Sequence, residues 1–189
     1  MLENIWENNS HKTIAKQQIN KQFSTNTNFS NTLNNTLKKD PKENHFPTPN
    51  KTEYGPSFSN KQLSDKNIPT ILKKLQDQPH SKVLFLAKNN ITDIGLDQLA
   101  KQLKKNTHIK HLILSQNNIC LNEFCKAAIM DLLKVNHYIG WLVLNGNNIN
   151  DIGAENLSDA LAENKSVIHL VLSDNKITDK GLETYTLHD

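Results

Sequence analysis

The stretch WLVLNGNNINDIG, residues 141–153, returns in a related form as HLVLSDNKITDKG at residues 169–181. Two upstream segments follow the same order: LFLAKNNITDIG at 84–95 and LILSQNNICLNE at 112–123. The second Leu of each segment marks the repeat, and successive ones are 28, 30 and 28 residues apart: Leu86, Leu114, Leu144 and Leu172. Self-similarity at a nearly fixed step indicates a repeat architecture.

An asparagine follows each of these leucines by three residues, and an Ile comes two residues later. The asparagines are Asn89, Asn117, Asn147 and Asn175. The L-x-L pair predicts a short strand with alternate side chains turned inward. A buried Asn amide both donates and accepts hydrogen bonds, so it satisfies backbone groups where the chain turns a corner. We therefore predict a ladder of stacked asparagines.

The segments after each Ile have helical spacing. TDIGLDQLAKQLKKN (92–106) and NDIGAENLSDALAEN (150–164) predict helices with Asp93 and Asp151 as N-caps. CLNEFCKAAIMDLLKVN (120–136) lacks the Gly and predicts a third helix. The residues expected to face inward are Leu96, Leu99, Ala100, Leu103, Leu121, Phe124, Ala128, Leu132, Leu133, Ala154, Leu157, Ala160 and Leu161.

Two ends flank the three full repeats. Residues 63–82 predict an N-terminal cap-like half-repeat with a short helix after Pro69, and Lys66 stands there in place of the ladder Asn. At the other end a partial repeat runs to Asp189, completing a repeat domain over 63–189. Because this last helix is short and ends on a charge, we predict possible self-association through the C-terminal end.

Residues 1–62 differ in composition from the rest. They are rich in Asn, Ser, Thr and Lys, and their few apolar residues show no sustained period. Such a segment buries too little surface to offset its chain entropy, so we predict a disordered tail. Ile14, Ile19 and Phe23 are compatible with one loose helical face. The net charge of +3 is too small to indicate nucleic-acid binding.

Composition also bounds the compartment and the chemistry. All 22 basic residues are Lys. The chain therefore lacks the bidentate hydrogen bonds to anions and the catalytic arginine fingers that Arg side chains supply. Cys120 and Cys125 are the only cysteines, which excludes a disulfide scaffold. The sequence shows no membrane span and no secretory signal pattern. We expect a cytoplasmic protein, or one translocated into a host cell by a non-Sec route.

The pattern LxxLxLxxNxI followed by a helix resembles the leucine-rich repeat family, and its period is similar to the ribonuclease-inhibitor-like subclass. The resemblance covers residues 63–189 and implies an α/β solenoid with a concave parallel sheet and convex helices. It implies a protein–protein interaction role. A short solenoid behind an Asn/Lys-rich leader is also similar to leucine-rich-repeat effectors of intracellular bacteria such as Legionella.

Strand alternation identifies the residues that would face a partner on the concave sheet: Phe85, His111, Ile113, Trp141, Val143, His169 and Val171. An exposed apolar column of this kind usually marks a binding site. The same residue types are also good strand formers, so strand propensity alone is the alternative explanation.

Other functions have weaker support in the sequence. No P-loop, catalytic triad or paired-carboxylate motif is present, so we expect no enzyme and no cofactor. The His and Cys spacings match no zinc motif, so we expect no metal. A regulator of a small GTPase, similar to Ran GTPase-activating proteins, remains an alternative, although the absence of Arg counts against it. A second alternative is a shortened remnant of a larger repeat protein.

Overall fold

The computed structural model describes residues 54–162 and 164–178, which form one parallel sheet with helices on one side. The sheet has five strands in chain order: β1 (Tyr54–Ser57), β2 (Val83–Phe85), β3 (His111–Ile113), β4 (Trp141–Val143) and β5 (His169–Val171). The helices between them are a 3₁₀ turn (Asp65–Asn67), α1 (Ile68–Gln76), α2 (Asp93–Leu103), α3 (Glu123–Val135) and α4 (Asp151–Leu161). The α/β repeat solenoid predicted from the sequence is confirmed.

Identical register across β2 to β5 stacks equivalent residues of successive repeats. Leu84 pairs with Leu112, Leu112 with Leu142, and Leu142 with Leu170. These leucines point toward the helices and are buried in one continuous apolar core with the helix residues. Each repeat thus supplies the same side chain to the same layer, which is how stacked repeats bury a core that no single repeat could form.

The asparagines lie at the corner that follows each strand. Asn117 Nδ2 donates to the carbonyl of Leu114 in its own repeat at 3.1 Å and to that of Leu86 in the preceding repeat at 2.9 Å. Its Oδ1 accepts from the backbone N–H of Ile91 at 3.0 Å. The other three asparagines make equivalent bonds: Asn89, Asn147 and Asn175. Each amide therefore joins two neighbouring repeats.

The start of the ordered repeats lies earlier than the sequence predicted. Residues 54–57 form strand β1, which pairs with β2, and Phe58 is buried in the core. The boundary at residue 62 and the half-repeat beginning at 63 are therefore wrong. The Phe58 N–H donates to the carbonyl of Phe85 at 3.0 Å, which places Phe58 beside Leu86, 28 residues on. Lys61 then holds the ladder position three residues after Phe58, and not Lys66.

This first repeat was missed because it lacks the motif residues. Its strand reads YGPS, where Gly and Pro disfavour a strand, and Lys replaces the ladder Asn. The backbone of Lys61 still donates to Asn89 Oδ1 at 3.1 Å. Asn89 of the next repeat thus still binds this corner, although the first repeat has no Asn side chain at the ladder position.

Two helix details also differ from the prediction. Thr92 and Asn150 are the N-caps of α2 and α4, whereas Asp93 and Asp151 are the first helical residues. Phe124, expected in the core, is 71% exposed, and Cys125 and Ile129 face inward in its helix. With Asn122 as the N-cap of α3, the helix begins so that Phe124 turns outward.

The predicted tail over 1–53 and the C-terminal end proposed for self-association, 179–189, lie outside the described residues.

Candidate interaction surface

The sheet face opposite the helices, called here the outer face, carries three columns of side chains. The register aligns Val83, His111, Trp141 and His169 in the first column and Phe85, Ile113, Val143 and Val171 in the second. Strand alternation places Ala87, Ser115, Asn145 and Ser173 in the third. The structure therefore brings all seven predicted partner-binding residues onto one face.

The apolar residues of this face are much less exposed than expected. Val143 is 1% exposed, Val171 3% and Trp141 8%. Together with Val83 and Ile113, the two valines form a second apolar cluster, against which Phe85 and Ala87 also pack. The prediction of an exposed apolar column is therefore wrong for its centre, because alternation identifies the face of a strand but not what shields it. His169 is exposed, and His111 and Phe85 are half-buried.

The aromatic rings of the first column contact one another across three strands. Trp141 stacks on His169 with ring centroids 3.6 Å apart and meets His111 edge-on at 5.7 Å. Burial lowers the pKa of His111, and the positive charges of Lys110 and His169 lower it further. Burial also lowers the pKa of His169. Both imidazoles are therefore biased toward the neutral form beside the indole.

The third column contains polar atoms that are enclosed without a partner. Asn145 is 6% exposed and Ser173 2%. Among the residues that the structure describes, nothing forms a hydrogen bond with Asn145 Oδ1 or Ser173 Oγ. The backbone N–H of Gly146 bonds to the Ser173 carbonyl at 2.8 Å, so the two side chains lie on adjacent strand ends. An enclosed acceptor without a donor costs about 1–3 kcal/mol, which a ligand's donor would recover.

The cysteines and histidines do not converge. No group of three or more His, Cys, Asp and Glu is placed to hold a metal ion within residues 54–162 and 164–178. Cys125, on α3, is buried in the core, and Cys120 is half-buried. Over the same ranges no helix has the length and apolarity required to cross a membrane.

Comparison with known proteins identifies the repeats. Residues 105–119, 136–158 and 163–184 match the family model described as Leucine Rich repeat. Over these segments the chain is similar to the leucine-rich repeat family. Each match contains the β-strand and the ladder asparagine of one unit, Asn117, Asn147 or Asn175. A search of the curated proteins finds no match to the chain.

The repeats contain a second asparagine ladder that sequence reasoning missed. Asn136, at the end of α3, donates from Nδ2 to the carbonyls of Leu103 and Asn106 in the preceding repeat, at 2.8 and 2.9 Å. Its Oδ1 accepts from the backbone N–H of Ile139 at 3.0 Å. Asn106 and Asn164 hold the equivalent positions. The signal was visible, because an Asn stands three residues before Ile109, Ile139 and Val167.

Proposed function

We propose that this protein is a non-enzymatic interaction module whose leucine-rich repeats bind a protein partner on the outer face. The observation that carries the proposal is an apolar cluster bordered by two enclosed polar atoms that find no partner among the described residues, Asn145 Oδ1 and Ser173 Oγ. A partner segment that packs apolar side chains on Val143 and Val171 and donates to these oxygens would satisfy both features.

The chemistry of this face favours a peptide-like partner over a substrate. The residues that form its centre are apolar and aromatic, and burial lowers the pKa of both His111 and His169, which favours their neutral form. On β3 to β5, the two serines of this face, Ser115 and Ser173, lie in a different column from the histidines. Aromatic and apolar contacts with a few hydrogen bonds are typical of protein interfaces.

The finer alternatives have less support. GTPase regulation requires a group that stabilises charge on the transferring phosphoryl, and the chain contains no Arg. The effector interpretation rests only on the combination of a short solenoid with an Asn/Lys-rich leader. The ribonuclease-inhibitor-like subclass rests only on the period of the repeat.

Site-specific photo-crosslinking tests the proposal. A photoreactive amino acid replaces His169, which is exposed on the outer face, and a matched control replaces Gln102, which is exposed on α2. After irradiation in cell lysate, we expect a protein adduct at His169 that is absent at Gln102. The purified partner should then bind Trp141→Ala at least about tenfold more weakly, as expected for an aromatic anchor. Crosslinking only at Gln102, or unchanged affinity in a folded Trp141→Ala protein, would contradict the proposal.

A further inference from the structure

The helices do not account for the burial of the outer face. The cluster around Val143 contains no residue from α1 to α4, because the helices pack on the opposite face. Neighbouring strands shield the flanks of a valine on a sheet, whereas its tip points away from the sheet. Exposures of 1% for Val143 and 3% for Val171 therefore mean that the tips are covered as well.

We propose that the N-terminal segment of this chain, residues 5–23, docks on the outer face and covers it. This inference rests on the proposed function in one respect, namely that the covered face is the one a partner would use. The segment contains apolar residues matched to such a site: Ile5, Trp6, Ile14, Ile19 and Phe23. A segment without a core of its own gains one by packing on an existing apolar surface.

The chain length between the segment and the sheet permits this docking. Strand β1 begins at Tyr54, and β4 lies three strands away, a distance of about 15 Å at the usual strand spacing. Residues 24–53 form a connection of 30 residues, whose r.m.s. span is about 30 Å for a flexible chain. The connection is therefore long enough, and a tether of this kind gives an effective concentration of order mM.

The polar chemistry of the two surfaces is also complementary. The segment is rich in side chains that donate hydrogen bonds, with lysines and glutamines between its apolar residues, as in HKTIAKQQINKQF at 11–23. The border of the outer face offers two acceptors, Asn145 Oδ1 and Ser173 Oγ, that have no hydrogen-bond partner within residues 54–162 and 164–178. Any partner for this face must compete with the tethered segment, so its apparent affinity is reduced by the fraction of molecules in which the face is open.

The accessibility of Trp141 to a quencher tests the docking in the full chain. The chain has two tryptophans, so Trp6→Phe leaves Trp141 as the single reporter and keeps an apolar side chain at position 6. Onto this background, one variant adds Ile14→Glu, Ile19→Glu and Phe23→Glu. A matched control adds Thr13→Glu, Asn20→Glu and Thr25→Glu, so that both carry the same three extra charges.

We expect acrylamide to quench Trp141 poorly in the background protein and in the control, and several-fold more efficiently in the apolar-to-Glu variant, with a red-shifted emission. Efficient quenching in the background protein would show an open face and overturn the proposal. Equal shielding in both Glu variants would also overturn it, because another element would then be the cover. Shielding that disappears on dilution would assign the cover to a second copy of the chain.

The outcomes separate this inference from the proposed function. If the face proves open, the docking is wrong, and partner binding at His169 is still testable by crosslinking. If Trp141 is shielded by the segment but no adduct forms at His169, the docking stands and the partner site is wrong.

Discussion

Asp93 Oδ1 accepts a hydrogen bond from the backbone N–H of Leu121 at 3.0 Å and thereby joins helix α2 to the next repeat. The same oxygen accepts from the N–H of Cys120 at 2.9 Å, and Oδ2 accepts from that of Asn122 at 3.2 Å. Asp65 and Asp151 bind Thr92 and Thr178 of their following repeats in the same way. The aspartates predicted as N-caps thus connect neighbouring repeats.

Replacing Asp93 should therefore destabilise the whole solenoid. Asp93→Ala removes a 6%-exposed carboxylate and leaves three backbone donors of the next repeat without their acceptor. We expect a loss of about 2–4 kcal/mol in the free energy of unfolding, measured by urea denaturation. The control is Asp97→Ala, which breaks an exposed ion pair with Lys101 and should cost less than about 1 kcal/mol. Equal losses for the two variants would contradict the assignment.

The ladder asparagines should show a similar contrast with their neighbours. Asn117→Ala leaves the carbonyls of Leu86 and Leu114 and the N–H of Ile91 unpaired in the core. We expect it to lower the free energy of unfolding by about 2–4 kcal/mol. Asn118→Ala, at the exposed adjacent position, should change it by less than about 0.5 kcal/mol. Thermal and urea unfolding of both variants measure this difference. An Asn117→Ala protein as stable as wild type would refute the stabilising role of the ladder.

The spacing of the sequence was sufficient to predict the ladder and the inward leucines, because both repeat with the backbone. The spacing did not predict the first repeat, which contains Phe58, because its strand reads YGPS and a Lys stands in place of the ladder Asn. It also failed at Val143 for a different reason. Period-2 alternation fixes the side of the sheet on which a side chain lies, whereas burial depends on what packs over that side.

Stability should decrease with acidification through the two histidines of the outer face. Burial lowers the pKa of both His111 and His169 below the ordinary value of 6.5. The folded protein then binds fewer protons than the unfolded chain, so the stability present above pH 6.5 is lost as the pH falls toward the folded pKa values. Thermal midpoints measured from neutral pH down to about 5 should decline. The double variant His111→Gln/His169→Gln should show a shallower decline, and an identical slope would contradict this explanation.

The two cysteines should differ in reactivity. Burial, with the nearby charges of Asp93 and Asp97, raises the pKa of Cys125 to about 12, so it has almost no thiolate at neutral pH. Burial and Asp93 also raise the pKa of Cys120, which is half-buried and therefore reachable by a reagent. With iodoacetamide under native conditions, peptide mass mapping should find slow modification of Cys120 and an unmodified Cys125. Both should react in concentrated guanidinium chloride, and native labelling of Cys125 at the rate of Cys120 would contradict its burial.

Two phenylalanines test where the repeat domain begins. Phe58 lies before the boundary predicted from the sequence and is 6% exposed in the core, whereas Phe124 lies in the middle of the domain and is 71% exposed. Phe58→Ala should lower the free energy of unfolding by about 3–4 kcal/mol, because it opens a cavity in the apolar core. Phe124→Ala makes the same chemical change at the surface and should alter stability by less than about 0.5 kcal/mol. If both variants unfold at the wild-type urea midpoint, residues 54–62 do not belong to the cooperative unit, and the domain begins where the sequence first placed it.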